Sequence, residues 1–143
     1  MLDTEAGPLA REGLLGRPCV LYFYPKDDTS GCTQEAIEFS QLSHQFQAAG
    51  VQVLGVSKDD LKSHARFREK HALTVRLASD PEAETAAAFG VWVEKSMYGR
   101  KYWGMERATF LIDAQGVVQR VWRKVKVPGH AAEVLRHAEA LRS

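Results

Sequence analysis

The stretch Pro18-Cys-Val-Leu-Tyr-Phe-Tyr-Pro-Lys-Asp-Asp-Thr-Ser-Gly-Cys32 contains the strongest local signals in the chain. Its first part, Pro18–Tyr24, is a continuous apolar, aromatic and β-branched run, which is typical of a strand buried on both faces. Its second part, Pro25–Gly31, ends the strand with turn-forming residues. From Cys32 onward the apolar side chains recur at helical spacing. The stretch therefore predicts a strand, a loop and a helix, with a cysteine in the first turn of that helix.

The rest of the chain continues this alternation. Further strands are predicted at 51–56 and 74–77, and helices from Ser57 or Asp59 to about His71 and from Asp80 to Gly90. They are followed by a hairpin turn at 113–116 and an amphipathic helix at 130–141. The first 17 residues are weakly patterned, and 91–106 is a charged, aromatic connection. This order predicts a single α/β domain over residues 1–143. Its expected architecture is a thioredoxin-like fold with a central mixed sheet flanked by helices, a C-terminal β-hairpin and a helix.

The composition excludes several classes of protein. The chain has 143 residues, 45% of them hydrophobic, and a formal charge of +1, so it is neither disordered nor basic enough to attract nucleic acid. Its longest apolar run is far too short for a membrane span, and its first residues do not resemble a signal peptide. Two cysteines are too few for a disulfide scaffold, so we expect a cytoplasmic protein. The histidine spacing fits no zinc site, and surface or capping roles are expected for these residues.

Cys32 is the candidate chemical group. It follows the first strand and enters the first turn of a helix, where open α/β sheets place their ligands. The positive end of the helix dipole favours a thiolate there. Position alone leaves two alternatives open, a reactive thiol or a small apolar residue in a turn.

The pattern Pro25-x-x-x-Thr29-x-x-Cys32 and the downstream segment Glu106-Arg-Ala-Thr-Phe-Leu-Ile-Asp113 resemble the peroxiredoxins, specifically the Q branch of bacterioferritin comigratory proteins. Similar segments recur at 55–59, 78–81 and 90–94, so the resemblance covers residues from about 14 to about 140. It implies a thiol-dependent peroxidase that reduces hydrogen peroxide or organic hydroperoxides and uses no cofactor and no metal. A peroxide and an external thiol are then the partners, without nucleic acid or membrane, and we expect a monomer or weak homodimer.

The resemblance also implies a role for each matched residue. Cys32 is the peroxidatic nucleophile, and Thr29 holds the peroxide near its sulfur. Arg107 stabilises the thiolate and the charge on the leaving oxygen. Pro25 shields the sulfur from water, and the main-chain N–H groups of Gly31 and Cys32 assist. Glu35, one helical turn further on, orients the arginine.

The sequence departs from the Q-branch pattern at three places. Ile37 occupies the position where many members carry a resolving cysteine, which leaves Cys19 as the other thiol. At about 3.3 Å per strand residue, Cys19 is expected on the order of 15–20 Å from Cys32, whereas a disulfide needs Cα atoms within roughly 7 Å. We therefore expect a structural Cys19 and a one-cysteine mechanism, with thioredoxin, glutaredoxin or a low-molecular-weight thiol as reductant. Ser30 replaces a usual proline, and the N-terminus is expected to be shortened.

Two other functions compete with this one. A monothiol redoxin-like thiol transferase would use Thr29-Ser-Gly-Cys32 as a modified Cys-x-x-Cys motif, but it leaves Pro25 and Arg107 without a role. A non-enzymatic binding or holdase module would use the basic and aromatic stretch Lys95–Arg107. Peroxide consumption by Cys32, as opposed to reduction of glutathione mixed disulfides, separates a peroxidase from the redoxin. A cellular phenotype that is unchanged in Cys32→Ser would favour the binding module.

Overall fold

The computed structural model describes residues 2–141, and strands alternate with helices along most of them. The strands in these residues are β1 (Leu2–Thr4), β2 (Gly7–Leu9), β3 (Cys19–Phe23), β4 (Gln52–Ser57), β5 (Arg76–Ser79), β6 (Trp92–Met97), β7 (Arg100–Met105), β8 (Ala108–Ile112) and β9 (Val118–Trp122). The α-helices are α1 (Ser30–Gln41), α2 (Ser43–Ala48), α3 (Leu61–His71), α4 (Glu84–Ala88) and α5 (His130–Ala140).

Seven of the strands form a mixed sheet in the order β2-β1-β5-β4-β3-β8-β9. Strand β3 pairs in parallel with β4 on one side and antiparallel with β8 on the other. All five of its residues are buried, as the continuous apolar run predicts. The sequence interpretation of this strand, and of the hairpin between β8 and β9, is therefore confirmed.

Side chains from β3 enter a separate apolar cluster on each face of the sheet. Val20 and Tyr22 pack on one face with Phe39 of α1, whereas Leu21 and Phe23 pack on the other. The Tyr22 and Phe39 rings stack with their centroids 4.6 Å apart. This contact fixes α1 against the central strand, and it thereby fixes the position of Cys32 in the first turn of α1.

Helix boundaries differ from the predicted ones where backbone groups find other partners. The helix after Cys32 is divided at Leu42, whose N–H contacts the carbonyls of both Glu38 and Phe39. Helix α3 is capped by Asp60, which accepts from the Ser63 N–H at 2.8 Å. The candidate caps Ser57 and Asp59 instead bond to each other, so neither opens the helix.

The two weakly patterned regions also form strands. Residues 2–9 make an antiparallel hairpin that extends the main sheet next to β5. Residues 92–105 make a separate two-stranded hairpin, β6 and β7, which turns at Tyr98 and Gly99. Both turn residues have positive φ, 52° and 78°. Hairpin turns of this kind favour Asn-Gly, and the Tyr-Gly pair here conceals the turn in the sequence.

None of the helices within the described residues has the length and apolar character that a membrane crossing requires.

Gly55 provides a test of how tightly the central strands pack. A Cβ at this position would lie 2.6 Å from the Tyr22 ring and 3.0 Å from Leu77. We expect Gly55→Ala to lower the free energy of unfolding by about 2 kcal/mol, because the Tyr22 ring would have to move off Phe39. Chemical denaturation followed by circular dichroism measures the change.

Gly90→Ala is the matched control, because Gly90 has a positive φ of 75° and no atom within 4 Å of an added Cβ. This variant bears only the backbone cost, about 1 kcal/mol. A Gly55→Ala protein as stable as the unsubstituted one would contradict the described packing.

Candidate active site

Cys32 lies in the first turn of α1, directly after the loop that leaves β3. Thr29 is extended, with φ −94° and ψ 156°, and precedes the first helical residue, Ser30. The Thr29 side chain does not cap this end of the helix. The first N–H groups of a helix have no acceptor within it, so those of Gly31 and Cys32 point toward the loop end of α1. Cys32 is only 2% exposed and belongs to the same apolar cluster as Tyr22, Tyr24 and Ala36.

One arginine connects the sulfur to a buried carboxylate. Nη2 of Arg107 donates to Sγ of Cys32 at 3.3 Å, and its Nη1 donates to Oε1 of Glu35 at 2.8 Å. Arg107 immediately precedes β8, and Ala108 is paired with Phe23 at the end of β3. The antiparallel register therefore brings the arginine to the point where the chain leaves β3 for the Cys32 loop. Glu35 reaches it because one helical turn separates Glu35 from Cys32.

The absence of a side chain at Gly31 makes room for the guanidinium. An added Cβ would lie 3.1 Å from Nη2 of Arg107, which is tighter than an ordinary contact. Any larger residue at position 31 would therefore displace the atom that bonds to the sulfur.

Burial and the neighbouring charges act in opposite directions on the pKa values of Glu35 and Arg107. Glu35 is 1% exposed, and burial raises the pKa of its carboxyl group to about 7 against the lowering effect of Arg107. Its Oε2 is buried and has no hydrogen-bond partner among the described residues, which explains why one arginine does not restore the ordinary pKa of the carboxyl group. Burial lowers the pKa of Arg107, but the charges of Glu35 and Cys32 outweigh it and raise that pKa overall. The guanidinium next to the sulfur is thus permanently charged.

Thr29 and Pro25 lie in the same loop but are exposed. The Thr29 hydroxyl donates to the carbonyl of Lys26 at 2.9 Å, so its oxygen can only accept from a peroxide in this arrangement. Pro25 occupies the first position after Tyr24. The structure brings Glu35, Gly31 and Arg107 together at the sulfur, while the roles of Thr29 and Pro25 stay predictions.

Lys95 is a second cation near the site, and sequence reasoning placed it only in a general basic stretch. Its ammonium group donates to the Met105 carbonyl at 2.6 Å. Burial lowers the pKa of Lys95, and the charge of Arg107 lowers it further. Lys95 is half-buried on the β6–β7 hairpin, whereas Tyr98 and Trp103 on the same hairpin are 99% and 59% exposed. Apolar and polar residues do not alternate in 92–105, so the sequence carries no clear strand signal there.

Cys19 is fully buried at the opposite end of β3 from the loop. It is paired with Gln52 on one side and Ile112 on the other, and both cysteines are free thiols. Burial raises the pKa of the Cys19 thiol to about 12. Thiol chemistry at neutral pH is therefore unfavourable at this position.

Two histidines are buried, contrary to the expectation of surface or capping roles. His130 is 6% exposed and contacts the Thr109 hydroxyl through Nε2 at 2.8 Å. Burial lowers the pKa of His130 to about 4. His64 is 1% exposed and belongs to a polar cluster behind the Cys32 loop. Among residues 2–141, no three His, Cys, Asp or Glu side chains are grouped to hold a metal ion.

Comparison with known proteins identifies relatives of this chain. The AhpC/TSA family model matches residues 1–121. A putative peroxiredoxin from Coxiella burnetii is 50% identical over 135 residues, covering 94% of this chain and 89% of the relative. Peroxiredoxin Bcp from Bacillus subtilis is 47% identical, covering 85% and 77%.

Solved structures give the same result. A structure of Xanthomonas campestris peroxiredoxin Q superposes with a TM-score of 0.94 at 43% identity, covering 99% of this chain and 90% of that one. The thioredoxin-like fold and the Q-branch resemblance are thereby confirmed. Because the family model spans most of the chain and relatives share up to half of its residues, the protein belongs to the peroxiredoxins of the AhpC/TSA family, which are thiol-dependent peroxidases.

Proposed function

We propose that this peroxiredoxin reduces hydroperoxides in a one-cysteine cycle, in which Cys32 is the nucleophile and a thiol of another molecule completes the turnover. The observation that carries the proposal is the Arg107 guanidinium, which bonds to the Cys32 sulfur and to the buried Glu35 carboxylate at once. A permanent cation at 3.3 Å stabilises a thiolate and also the negative charge that develops on a departing oxygen.

The first half of the cycle transfers one oxygen atom to sulfur. The Cys32 thiolate attacks the nearer peroxide oxygen, an S–O bond forms and the O–O bond breaks. The leaving oxygen takes a proton and departs as water from hydrogen peroxide or as an alcohol from an organic hydroperoxide. Sulfur is oxidised by two electrons to a sulfenic acid. Arg107 and the N–H groups of Gly31 and Cys32 are positioned to stabilise the charge, with Thr29 as an acceptor for the peroxide proton.

The second half restores the thiol with two external thiols. The first attacks the sulfenic sulfur, releases water and forms a mixed disulfide with Cys32. The second attacks the external sulfur of that disulfide and releases Cys32 as a thiol. The two external thiols leave joined to each other as a disulfide. We propose a redoxin such as thioredoxin or glutaredoxin, or a low-molecular-weight thiol, as the donor, and a thiol-reducing compartment such as the cytoplasm as the location.

The location of Cys19 supports the one-cysteine cycle. Cys19 is the other cysteine of the sequence, and β3 separates it from the loop that leads to Cys32. The four residue steps from Cys19 to Phe23 alone span roughly 13 Å at 3.3 Å per residue. An internal disulfide would require β3 to leave both of its neighbouring strands.

Organic hydroperoxides are proposed as substrates alongside hydrogen peroxide. A related structure, the Xanthomonas campestris bacterioferritin comigratory protein, was described in connection with alkyl peroxide reduction and is 42% identical to this chain. Cys32 here packs among apolar side chains, which is compatible with an alkyl group on the substrate.

Oxidation by one equivalent of hydrogen peroxide tests the proposed product. We expect mass spectrometry with a sulfenic-acid-trapping dione to find the adduct at Cys32 in the unsubstituted protein and in Cys19→Ser. Cys32→Ser should form no adduct, because Cys19 is buried and protonated. An internal disulfide between Cys19 and Cys32 as the main product would contradict the one-cysteine cycle.

Arg107→Lys tests the role of the guanidinium. A lysine cannot bond to the sulfur and to Glu35 with one planar group, so we expect the second-order rate constant for peroxide consumption to fall about 100-fold. Stability is compared by thermal denaturation, which separates this effect from unfolding.

Arg123→Lys is the matched control, because Arg123 forms a similar two-point contact with Glu106 at 2.8 and 3.2 Å but does not bond to the sulfur. Its rate constant should change by less than about twofold. Equal rates in the two lysine variants would refute the role assigned to Arg107.

A further inference from the structure

Helix α3 holds the Cys32 loop through two consecutive aspartates. Asp28 is exposed and bonds to Lys70 at 2.7 Å and to His71 at 2.8 Å. Asp27 turns inward, and its carboxylate meets Nδ1 of His64 at 2.8 Å, with both side chains at most 3% exposed. The loop that carries Thr29 and leads to Cys32 is thus tied to α3 by one exposed and one buried contact.

Both ring nitrogens of His64 face acceptors. Nε2 lies 2.9 Å from the carbonyl oxygen of Ala78, which can only accept a hydrogen bond. Nδ1 faces an oxygen of Asp27. A histidine that donates at both nitrogens is an imidazolium, whereas a neutral ring would leave one of these contacts without a proton.

The other partners of Asp27 indicate that its carboxyl group is ionised. Oδ1 accepts from the Tyr24 hydroxyl at 2.6 Å, and Oδ2 accepts from the Ser63 hydroxyl at 2.7 Å. The Asp27 main-chain N–H is held separately by Asp59 at 2.8 Å. A carboxyl group that accepts from two hydroxyl groups and also faces His64 is stabilised as an anion.

We propose that His64 is a positioning residue for peroxide reduction: as an imidazolium that donates to Asp27 and to the Ala78 carbonyl, it ties the Cys32 loop to the sheet. This inference rests on the proposed function, because its consequence is measured in the peroxide reaction. The polar partners of His64 are Tyr24, Asp27 and the Ala78 carbonyl, and the Cys32 sulfur is not among them. It acts through Asp27, which fixes the backbone that leads to Thr29 and the first turn of α1.

The surroundings of His64 determine how the contact responds to pH. The charged and titratable groups facing the ring are Asp27 from the loop, Asp59 from the turn before α3 and Tyr24 from the end of β3, with the Ala78 carbonyl from β5. Burial lowers the pKa of His64, but the hydrogen bond and charge of Asp27 outweigh it and raise the pKa overall. Burial raises the pKa of Asp27, but its three donors outweigh that effect and lower it.

The expected pH dependence follows from these directions. The raised pKa means that the contact is complete at and below the ordinary histidine range and is lost as pH rises through the pKa of folded His64. The peroxide rate constant should therefore decline on the alkaline side.

Three variants test the proposal. His64→Gln offers one N–H donor side, so one of the two acceptors would face the amide oxygen. Asp27→Asn keeps the shape of the side chain but no longer requires a charged His64. Its amide group can donate to the Nδ1 of a neutral His64 and to Ser63. His71→Gln is the matched control on the same helix, where the imidazole contacts the exposed Asp28.

We expect His64→Gln to lower the peroxide rate constant about tenfold or more at pH 7. Asp27→Asn should lose less than about threefold and should lack the alkaline decline, since its hydrogen bonds survive with a neutral ring. His71→Gln should change the rate by less than about twofold and keep the decline. If His64→Gln fails to fold, the pH profile of Asp27→Asn decides the question.

A second measurement is independent of peroxide chemistry. Nitrogen-15 NMR of the His64 ring in the reduced protein should show both nitrogens protonated at pH 7 and one proton lost at alkaline pH. A neutral ring at pH 7, or an alkaline decline that persists in Asp27→Asn, overturns the role of His64. A wild-type protein without Cys32-dependent peroxide consumption would instead overturn the proposed function, and the NMR result would still establish the state of the ring.

Discussion

The site depends on one guanidinium that is shared between a sulfur and a buried carboxylate. Arg107 makes this contact because β8 is antiparallel to β3, because Tyr22 stacks on Phe39 and fixes α1, and because Gly31 leaves space for Nη2. Each of these conditions belongs to a different part of the chain. The position of the reactive sulfur relative to its cation is thus a property of the packed sheet and helix rather than of the loop motif alone.

The Cys32 loop and α1 each carry a buried carboxyl group, and the surroundings of these two groups shift their pKa values in opposite directions. Glu35 accepts from one arginine and has one oxygen without a partner in the part of the chain that the structure describes, so burial dominates and raises its pKa to about 7. Asp27 receives donors from His64, Tyr24 and Ser63, so its pKa is lowered despite burial. The difference lies in the number of donors, because each hydrogen bond to a carboxylate stabilises the charged form. Arg107 bonds to the Glu35 carboxyl group, and His64 meets that of Asp27.

Sequence patterns predicted the parts whose signals are local. The buried run at 18–24, the hairpin at 113–116 and the terminal helix required no long-range information, and a motif placed Cys32, Arg107 and Glu35 in one site. The β6–β7 hairpin was missed because its strands are largely exposed and its turn is Tyr-Gly. His64 was misjudged because its burial depends on α3 packing against β5 and the loop, which helical spacing alone does not reveal. Tertiary contacts, rather than local sequence, determine the β6–β7 hairpin and the burial of His64.

The one-cysteine account separates the two thiols of the chain by their environments. Cys32 lies beside a fixed cation at a helix start, and Cys19 lies inside the sheet with its pKa raised to about 12. The most direct measurement is stopped-flow tryptophan fluorescence after mixing reduced protein with excess hydrogen peroxide, in the unsubstituted protein, Cys19→Ser and Cys32→Ser. The account predicts a signal whose rate rises linearly with peroxide in the first two and is absent in Cys32→Ser. A signal that persists without Cys32, or that disappears with Cys19, would contradict it.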